Sequence, residues 1–188
     1  MRSKQGHLGG ISLFVRDGSG TERPARLLFV SPTQINFEVP AGTSNGQATV
    51  NLVQHGGEFY TTTVPVAQTA PGLFTLGNSA VAGYLQRVET GGKLTTLSVQ
   101  QPIALDERPV YLVLYGTGIR NRSPLANIIC EIGGIQVPVD YAGPEGSGVP
   151  GLDQVNLRLP LGLRGRGVID VVLSVDGVRS NALVLEFQ

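Results

Sequence analysis

Histidine and cysteine supply most of the nucleophilic and zinc chemistry of proteins, and this chain has two histidines and one cysteine. His7 lies near the N-terminus and His55 lies in a Gln-His-Gly-Gly turn, without the spacing of a zinc-ligand pair. A Ser-His-Asp triad would also need a serine presented beside one of them, and the sequence contains no Gly-x-Ser-x-Gly elbow. Cys130 falls within the alternating segment Ile128–Ile132, which predicts a small core or interface residue. We therefore expect no catalytic residue and no enzymatic activity.

Two loops partly match known ligand-binding motifs. Gly116-Thr-Gly118 follows a strand, as a dinucleotide loop does, but Asn121 stands where the third glycine belongs and Pro124 prevents a clean helix start. The segment Asp17–Glu22 offers oxygens at alternating positions, as calcium loops do, but lacks further early acidic ligands. We interpret the first as a corner of a β-sandwich and the second as a hairpin loop, and predict neither a cofactor nor a metal.

The charge balance bears on the partner class. The chain has 14 basic and 14 acidic residues and a formal net charge of zero. Nucleic acids and anionic membranes select a basic excess, so neither is the expected partner. No run of 18 apolar residues is present, which argues against membrane insertion, and the N-terminus lacks the apolar stretch of a signal peptide.

Surface binding leaves a few weak candidates. Sugar-binding faces usually rely on flat aromatic rings, and the chain has no tryptophan. Tyr60 and Tyr84 are the more plausible exposed rings. Arg164 and Arg166, in a glycine-rich loop, could contact an anion or an acidic partner, although such arginines are usually only solvated. The hydrophobic patterning assigns four other aromatic residues to the core: Phe29, Phe37, Tyr115 and Tyr141.

Alternation of apolar and polar residues dominates the chain and predicts half-buried strands. In the segments 34–40 and 153–160 the residues expected in the core are Ile35, Phe37, Val39, Val155, Leu157 and Leu159. Asn36, Glu38, Asn156 and Arg158 should then face outward or bond neighbouring loops. Further strands are expected at 11–16, 25–30, 48–54, 59–66, 110–115, 127–132, 135–141, 168–175 and 180–187. Many short strands separated by glycine turns predict an all-β sandwich or barrel.

The chain repeats itself at long range. Gln34, Asn36 and Pro40 recur as Gln154, Asn156 and Pro160, each 120 residues later. Because this spacing is too long for a solenoid repeat, we expect two antiparallel sandwiches of one family in tandem. The domain boundaries follow: 1–69 for an N-terminally incomplete first sandwich, 70–107 for a junction with an interdomain hairpin, and 108–188 for the second sandwich. The first copy is incomplete because nothing in it corresponds to the apolar strand 110–115.

These motifs together resemble a known family. The segments that carry the resemblance are 31–40 (SPTQINFEVP), 70–75 (APGLFT), 111–119 (YLVLYGTGI), 152–160 (LDQVNLRLP) and 175–181 (VDGVRSN). In this order they resemble the uncharacterised Solibacter-type C-terminal domain of large exported acidobacterial proteins. Each half also resembles an IPT/TIG-type immunoglobulin-like domain. The resemblance covers residues 8–188 and implies two tandem immunoglobulin-like sandwiches, an extracellular or cell-surface location, and no established activity.

The leading functional hypothesis is a non-enzymatic structural or interaction module at the end of a larger exported protein. The alternative is a carbohydrate-binding module, which could be accessory to a hydrolase. Since a sandwich that lacks a strand has unpaired backbone groups, we expect something outside the first repeat to complete it. The favoured candidate is the interdomain hairpin 81–99 and the other is a strand of a protein partner or of a second copy.

Overall fold

A computed structural model describes residues 7–54, 56–77 and 80–188. The chain divides into a first unit that ends at Gln68 and a second unit that begins at Thr69. The all-β prediction is confirmed, since the only helical segments among the described residues are two short 3₁₀ turns, Leu125–Asn127 and Leu161–Leu163. No helix in these ranges is long and apolar enough to cross a membrane. His55 and the side chain of His7 lie outside the described residues.

The first unit contains two antiparallel sheets. Its strands are β1 (His7–Leu8), β2 (Ile11–Arg16), β3 (Glu22–Pro24), β4 (Arg26–Val30), β5 (Ile35–Glu38), β6 (Gly46–Gln54) and β7 (Phe59–Val66). The larger sheet has the order β1-β2-β6-β7, with β3 also paired to β2, and the smaller sheet is the hairpin of β4 and β5. Six buried side chains, from both sheets and the residue before β4, form the core: Leu13, Val15, Ala25, Leu27, Ala48 and Val50.

The second unit has a larger, β-sandwich-like arrangement. Its strands are β8 (Gly72–Leu73), β9 (Thr75–Leu76), β10 (Ala80–Val81), β11 (Gly83–Val88), β12 (Leu94–Leu97), β13 (Val110–Thr117), β14 (Ile128–Ile132), β15 (Ile135–Val137), β16 (Val139–Pro144), β17 (Asp153–Arg158), β18 (Gly167–Val175), β19 (Val178–Arg179) and β20 (Leu183–Phe187). One sheet has the order β12-β11-β13-β17-β16, with β8 also on β13. The other has the order β15-β14-β18-β19, with β20 also on β18, while β9 and β10 pair separately. Both large sheets contribute side chains to one buried core.

The predicted register holds in the second unit. Val155 and Leu157 are fully buried and Leu159 is 7% exposed, whereas Arg158 is exposed. In the first unit the prediction is wrong for one residue, because Val39 is 49% exposed. Ile35 and Phe37 are half-buried at the margin of the small core. The same sequence pattern therefore produces a central buried strand in one unit and a partly covered strand in the other.

Three aromatic residues assigned to the core lie on the other face of their strands. Phe29 and Tyr141 are exposed because a β-bulge precedes each of them, between Leu27 and Phe29 and between Val139 and Tyr141. A bulge inserts one residue and so reverses the alternation beyond it. Tyr115 is half-buried on the face opposite to Leu112 and Leu114. The strand around Tyr115 has apolar or aromatic residues on both faces. It therefore shows no alternation of apolar and polar residues from which its core-facing side could be predicted.

The interdomain hairpin belongs to the second unit. Residues 83–87 of β11 pair with β13, and Leu85 lies between Leu97 and Leu112 in the ladder. The favoured hypothesis that this hairpin completes the first repeat is therefore wrong. It also follows that segment 70–107, expected as a separate junction, contributes strands to the second unit, where Leu73, Val81 and Leu85 join the core. The physical reason is that β13 offers a nearby edge with matching apolar residues.

The segment expected as one strand at 135–141 is two strands. β15 belongs to the sheet of β14 and β18, whereas β16 belongs to the sheet of β17, and Pro138 stands between them. Proline has no backbone N–H for a ladder, so it suits a point where the chain changes sheets. β3 and β4 make the same change in the first unit, on either side of Ala25.

The fully buried position of Leu157 yields a stability prediction. Leu157→Ala leaves a cavity between the two sheets and should lower the free energy of unfolding of the second unit by about 2–5 kcal/mol. Tyrosine fluorescence in a urea titration is a suitable measurement, because four of the five tyrosines lie beyond Gln68. Val184→Thr, at a position that is 53% exposed, is the control and should change the free energy by less than about 0.5 kcal/mol. Equal effects of the two variants would contradict the assigned register.

Candidate functional site

The hairpin of β4 and β5 reproduces the pairing of β16 and β17. Phe37 stands opposite Leu27 as Leu157 stands opposite Val139, and Ile35 stands opposite Val30 as Val155 stands opposite Ala142. The β-bulge occupies the same position in both hairpins. The long-range repeat in the sequence is therefore a repeat in backbone pairing, and not only in residue types.

The Gln-x-Asn motif makes the same hydrogen bond in both repeats. The Gln34 side-chain amide donates to Asn36 Oδ1 at 2.7 Å, and the Gln154 amide donates to Asn156 Oδ1 at 2.7 Å. Side chains two residues apart on a strand lie on the same face, so this bond links neighbouring polar positions opposite the core. The motif thus has a local structural role in each hairpin.

In the second unit, β13 covers the edge of β17 that faces away from β16. Leu112 lies opposite Leu157, and Leu114 lies opposite Val155. The ladder continues beyond β17, where the Leu159 amide donates to the Val110 carbonyl at 2.9 Å. All six of these side chains are buried. The pairing therefore satisfies the second edge of β17 and completes the apolar layer.

In the first unit, the corresponding edge of β5 has no strand beside it among the described residues, where the small sheet contains β4 and β5 alone. We call the side of Ile35–Glu38 and Val39 that faces away from β4 the β5 edge. The contrast between matched positions is largest at its end, where Val39 is 49% exposed and Leu159 is 7% exposed. The difference is explained by the absence of a partner strand and not by the residue types, which are apolar in both units.

The direction of the backbone amides on this edge follows from the second repeat. Leu159 donates toward β13, while the Arg158 amide donates to the Pro138 carbonyl at 3.0 Å on the other side. Successive N–H groups of an extended strand point to opposite edges. By the matched pairing of the hairpins, the amides of Ile35, Phe37 and Val39 point out from the β5 edge. Within the described part of the chain, the edge thus combines amides that have no partner strand with a row of apolar side chains.

Several motifs of the sequence meet at one end of the second unit in purely structural contacts. The Ala70 amide donates to the Gly118 carbonyl at 3.0 Å, and the Leu73 amide donates to Asn181 Oδ1 at 2.8 Å. Gly118 has a φ of +72°, and a Cβ there would lie 2.0 Å from the Ala70 carbonyl oxygen. Glycine is therefore required for this close approach, and Gly116-Thr-Gly118 forms a strand end and corner.

Two buried aspartates organise backbone turns. The Asp153 carboxylate accepts hydrogen bonds from the Ile119 and Arg120 amides at 2.8 and 3.1 Å and from Arg120 Nε at 2.7 Å. Asp17 accepts from the Thr21 and Ser44 amides at 3.1 and 3.2 Å, and from Arg23 at 2.7 Å. Hydrogen bonds from Ser19 and Arg23 hold the pKa of Asp17 well below its usual range. The loop at residues 17–22 is a hairpin loop in which the Asp17 carboxylate is bonded to backbone amides, Ser19 and Arg23.

The remaining candidates for chemistry are buried or dispersed. Cys130 is fully buried in β14, as predicted, and burial raises the pKa of its thiol to about 12. Within the described ranges no group of three or more histidine, cysteine, aspartate or glutamate side chains could hold a metal ion.

The four weak binding candidates lie on separate elements. Tyr60, on β7 of the first unit, is 56% exposed, whereas Tyr84, on β11 of the second unit, is half-buried. Arg164 follows the second 3₁₀ turn and donates to the Leu105 carbonyl at 2.7 Å. Arg166 donates to the Gly133 carbonyl at 3.4 Å. Each arginine therefore bonds to a backbone carbonyl of the second unit.

A second surface was missed by the sequence reasoning. Tyr84, Val113, Asn156 and Tyr141 stand side by side across four strands of the second unit, on the face opposite to Leu112 and Leu157. The rings of Tyr84 and Tyr115 are 6.2 Å apart, and burial together with Tyr84 and Glu145 raises the pKa of Tyr115. We call the four tyrosines on these strands, with the amide pair between them, the tyrosine face: Tyr84, Tyr111, Tyr115, Tyr141, Gln154 and Asn156.

Comparison with known proteins adds no relative. No family model, no curated protein and no solved structure matches the chain.

The Asp17 contacts predict a pH response in the first unit. Because its pKa in the folded chain lies below the ordinary value of 3.8, its stabilising contribution is complete above that value and is lost as pH falls through the lower folded value. The amide protons of Thr21 and Ser44 should shift in NMR spectra as Asp17 is protonated. Asp17→Asn should abolish the shift of these two amide signals at low pH. It should also accelerate the hydrogen exchange of both amides at pH 7. Asp140→Asn, at an exposed position in the second unit, should leave both amides unchanged; if it alters them, the assignment is incorrect.

Proposed function

We propose that the chain is a non-enzymatic interaction module whose β5 edge accepts an extended strand of a protein partner. The observation that carries this proposal is the contrast between the two matched strands, one fully enclosed and one with an uncovered edge. An exposed strand edge presents backbone donors and acceptors to any chain that can pair with it. Strand addition of this kind obtains affinity from main-chain hydrogen bonds and specificity from alternate side chains.

The use of the polar residues supports a non-catalytic role. Asp17 and Asp153 are committed to backbone amides and arginines, and the Gly-Thr-Gly corner is occupied by the chain itself. The five motifs that stand out in the sequence map to hairpins, strand ends and corners. Such residues maintain a scaffold, and a scaffold that presents an uncovered strand edge is suited to binding.

The finer classification rests on the sequence resemblance. We propose that each unit is an immunoglobulin-like sandwich of the IPT/TIG type, and that the chain belongs to the Solibacter-type C-terminal domains of exported proteins. Both proposals agree with the antiparallel pairing and with the repeat of β4–β5 in β16–β17. On this proposal the module works outside the cell or at the cell surface, where it contacts another protein.

A display experiment tests strand addition. Random peptides of 12 residues are selected on the full chain, and the enriched peptides are then measured against Val39→Lys and Val184→Lys. The two valines are similarly exposed, at 49% and 53%, but only Val39 lies on the β5 edge. We expect alternating apolar and polar sequences whose binding weakens about tenfold or more with Val39→Lys, because the lysine would have to be buried, and is unchanged with Val184→Lys. Failure to enrich any peptide, or equal binding to both variants, would refute the proposal.

The tyrosine face favours carbohydrate binding as a second candidate function. Its rings are flat apolar surfaces with hydroxyl groups, and the side-chain amides of Gln154 and Asn156 lie between them on the same sheet face. The Tyr141 hydroxyl donates to the Pro144 carbonyl at 2.5 Å and lies close over Gly143. Tyrosine rings with adjacent side-chain amides suit the apolar face and the hydroxyl groups of a sugar ring.

A glycan array with three variants tests this second function. Tyr84→Ala and Tyr115→Ala each remove one ring of the closest pair, and should lower binding to any captured glycan about tenfold or more if both rings contact it. Tyr60→Ala removes an exposed tyrosine from the first unit and should have no effect. Silence of the wild-type chain across the array, or equal loss with Tyr60→Ala, would exclude the tyrosine face as the binding site.

A further inference from the structure

The second unit contains, in β13, a strand that has no counterpart beside β5 among the described residues of the first unit. β13 runs antiparallel to β17 and is in register over six residue pairs, from Tyr111 opposite Arg158 to Gly116 opposite Asp153. Its residues Leu112 and Leu114 face the core, and Val113 and Tyr115 face the other way. The direction, length and side-chain pattern of a strand that fits this hairpin are therefore observable within the same chain.

The register can be transferred because the two hairpins match residue by residue. Their shared bulge and their shared Gln–Asn hydrogen bond leave no freedom to shift one repeat against the other by one position. A shift by one would also exchange the two faces of the strand. Phe37 thus takes the place of Leu157, Ile35 that of Val155, and Val39 that of Leu159.

We infer that the partner of the β5 edge is an antiparallel strand patterned like Val110–Thr117, with apolar side chains opposite Ile35 and Phe37 and a third beside Val39. This inference rests on the proposed function and specifies the partner of the same site. The partner strand covers the half-buried Ile35 and Phe37, buries Val39, and accepts hydrogen bonds from the outward amides of all three residues. The intervening residues of the partner strand lie on the sheet face of Gln34 and Asn36. This is the polar face of β5, so polar side chains are suited to these positions.

The two sites differ beyond the end of the strand. In the second unit the chain turns after β13, and the Asp153 carboxylate holds the Ile119 and Arg120 amides. In the first repeat the corresponding position is Thr33, which is exposed and has no carboxylate. The partner of the β5 edge consequently needs no such turn and no arginine, and eight extended residues are sufficient for recognition.

The first experiment uses a synthetic peptide with the sequence of residues 110–117 flanked by lysines for solubility. Amide hydrogen exchange of the full chain is measured by NMR with and without the peptide. We expect exchange to slow about tenfold or more at Ile35, Phe37 and Val39, whose amides face the edge, and to change little at Asn36 and Glu38, whose amides face β4. Val155 and Leu157 serve as internal controls, because β13 already covers them.

Two changes provide matched controls. A peptide with lysine in place of Leu112 and Leu114 keeps the length and the backbone, and should bind about tenfold more weakly or worse because both lysines would face the core. The Val39→Lys chain should lose protection by the original peptide, whereas the Val184→Lys chain should retain it. Equal binding of both peptides, or protection that persists in Val39→Lys, would overturn the inference.

Strand direction is tested with a nitroxide on either end of the peptide. In the antiparallel register, a label before Val110 broadens the signals of Val39, and a label after Thr117 broadens those of Gln34. The opposite pattern would show a parallel strand and contradict the inference. Protection of the edge amides that rises with protein concentration in the absence of peptide would identify a second copy as the occupant, and would also overturn it.

The outcomes separate the inference from the proposed function. If selected peptides bind in a manner sensitive to Val39→Lys but the peptide of residues 110–117 does not, the edge binds strands of another pattern and only the inference fails. If no peptide of either kind responds to Val39→Lys, both fail.

Discussion

The pairing of β13 with β17 is the constraint on which the second unit depends. A strand at the centre of a sheet must have both rows of its backbone groups hydrogen bonded, since an unpaired buried N–H or C=O is costly. β17 meets this requirement between β13 and β16, and its apolar residues Val155 and Leu157 are consequently removed from water. The hairpin of β11 and β12 and the short strand β8 then add to β13, and Asp153 holds the turn that follows it. Loss of this one pairing would expose the apolar side chains that β17 contributes to the core.

The first unit contains the same hairpin without such a neighbour among the residues that the structure describes. The pairing, the bulge and the Gln–Asn hydrogen bond of β4–β5 are all retained, so the hairpin itself does not need the additional strand. What changes is burial. Among the described residues, six side chains form the buried core of the first unit and 25 form that of the second. Since apolar burial is the main source of folding free energy, the smaller core supplies less of it to the first unit.

The motifs that identify the chain are explained by geometry at contacts between strands and corners. Gly118 permits the approach of Ala70, and Asn181 satisfies both the amide and the carbonyl of Leu73. Residues of this kind attract attention in a sequence because they are glycine, proline, asparagine and aspartate at fixed spacings. In this protein they position the backbone, and the surfaces suited to binding consist of less conspicuous residues, such as Val39 and the tyrosines of a sheet face.

Local patterns in the sequence determined the strands and the repeat. The alternation around Phe37 and Leu157 located the two matched strands, the glycine pairs located the turns, and the 120-residue spacing predicted the matched hairpins, because each of these features depends on residues close together in the chain. Only the tertiary structure decided which sheet received the hairpin 81–99, how deeply Ile35 and Val39 are covered, and that the tyrosines share one face. These outcomes depend on pairing between strands far apart in sequence and on bulges that reverse the alternation, and neither is encoded in the period of a single strand.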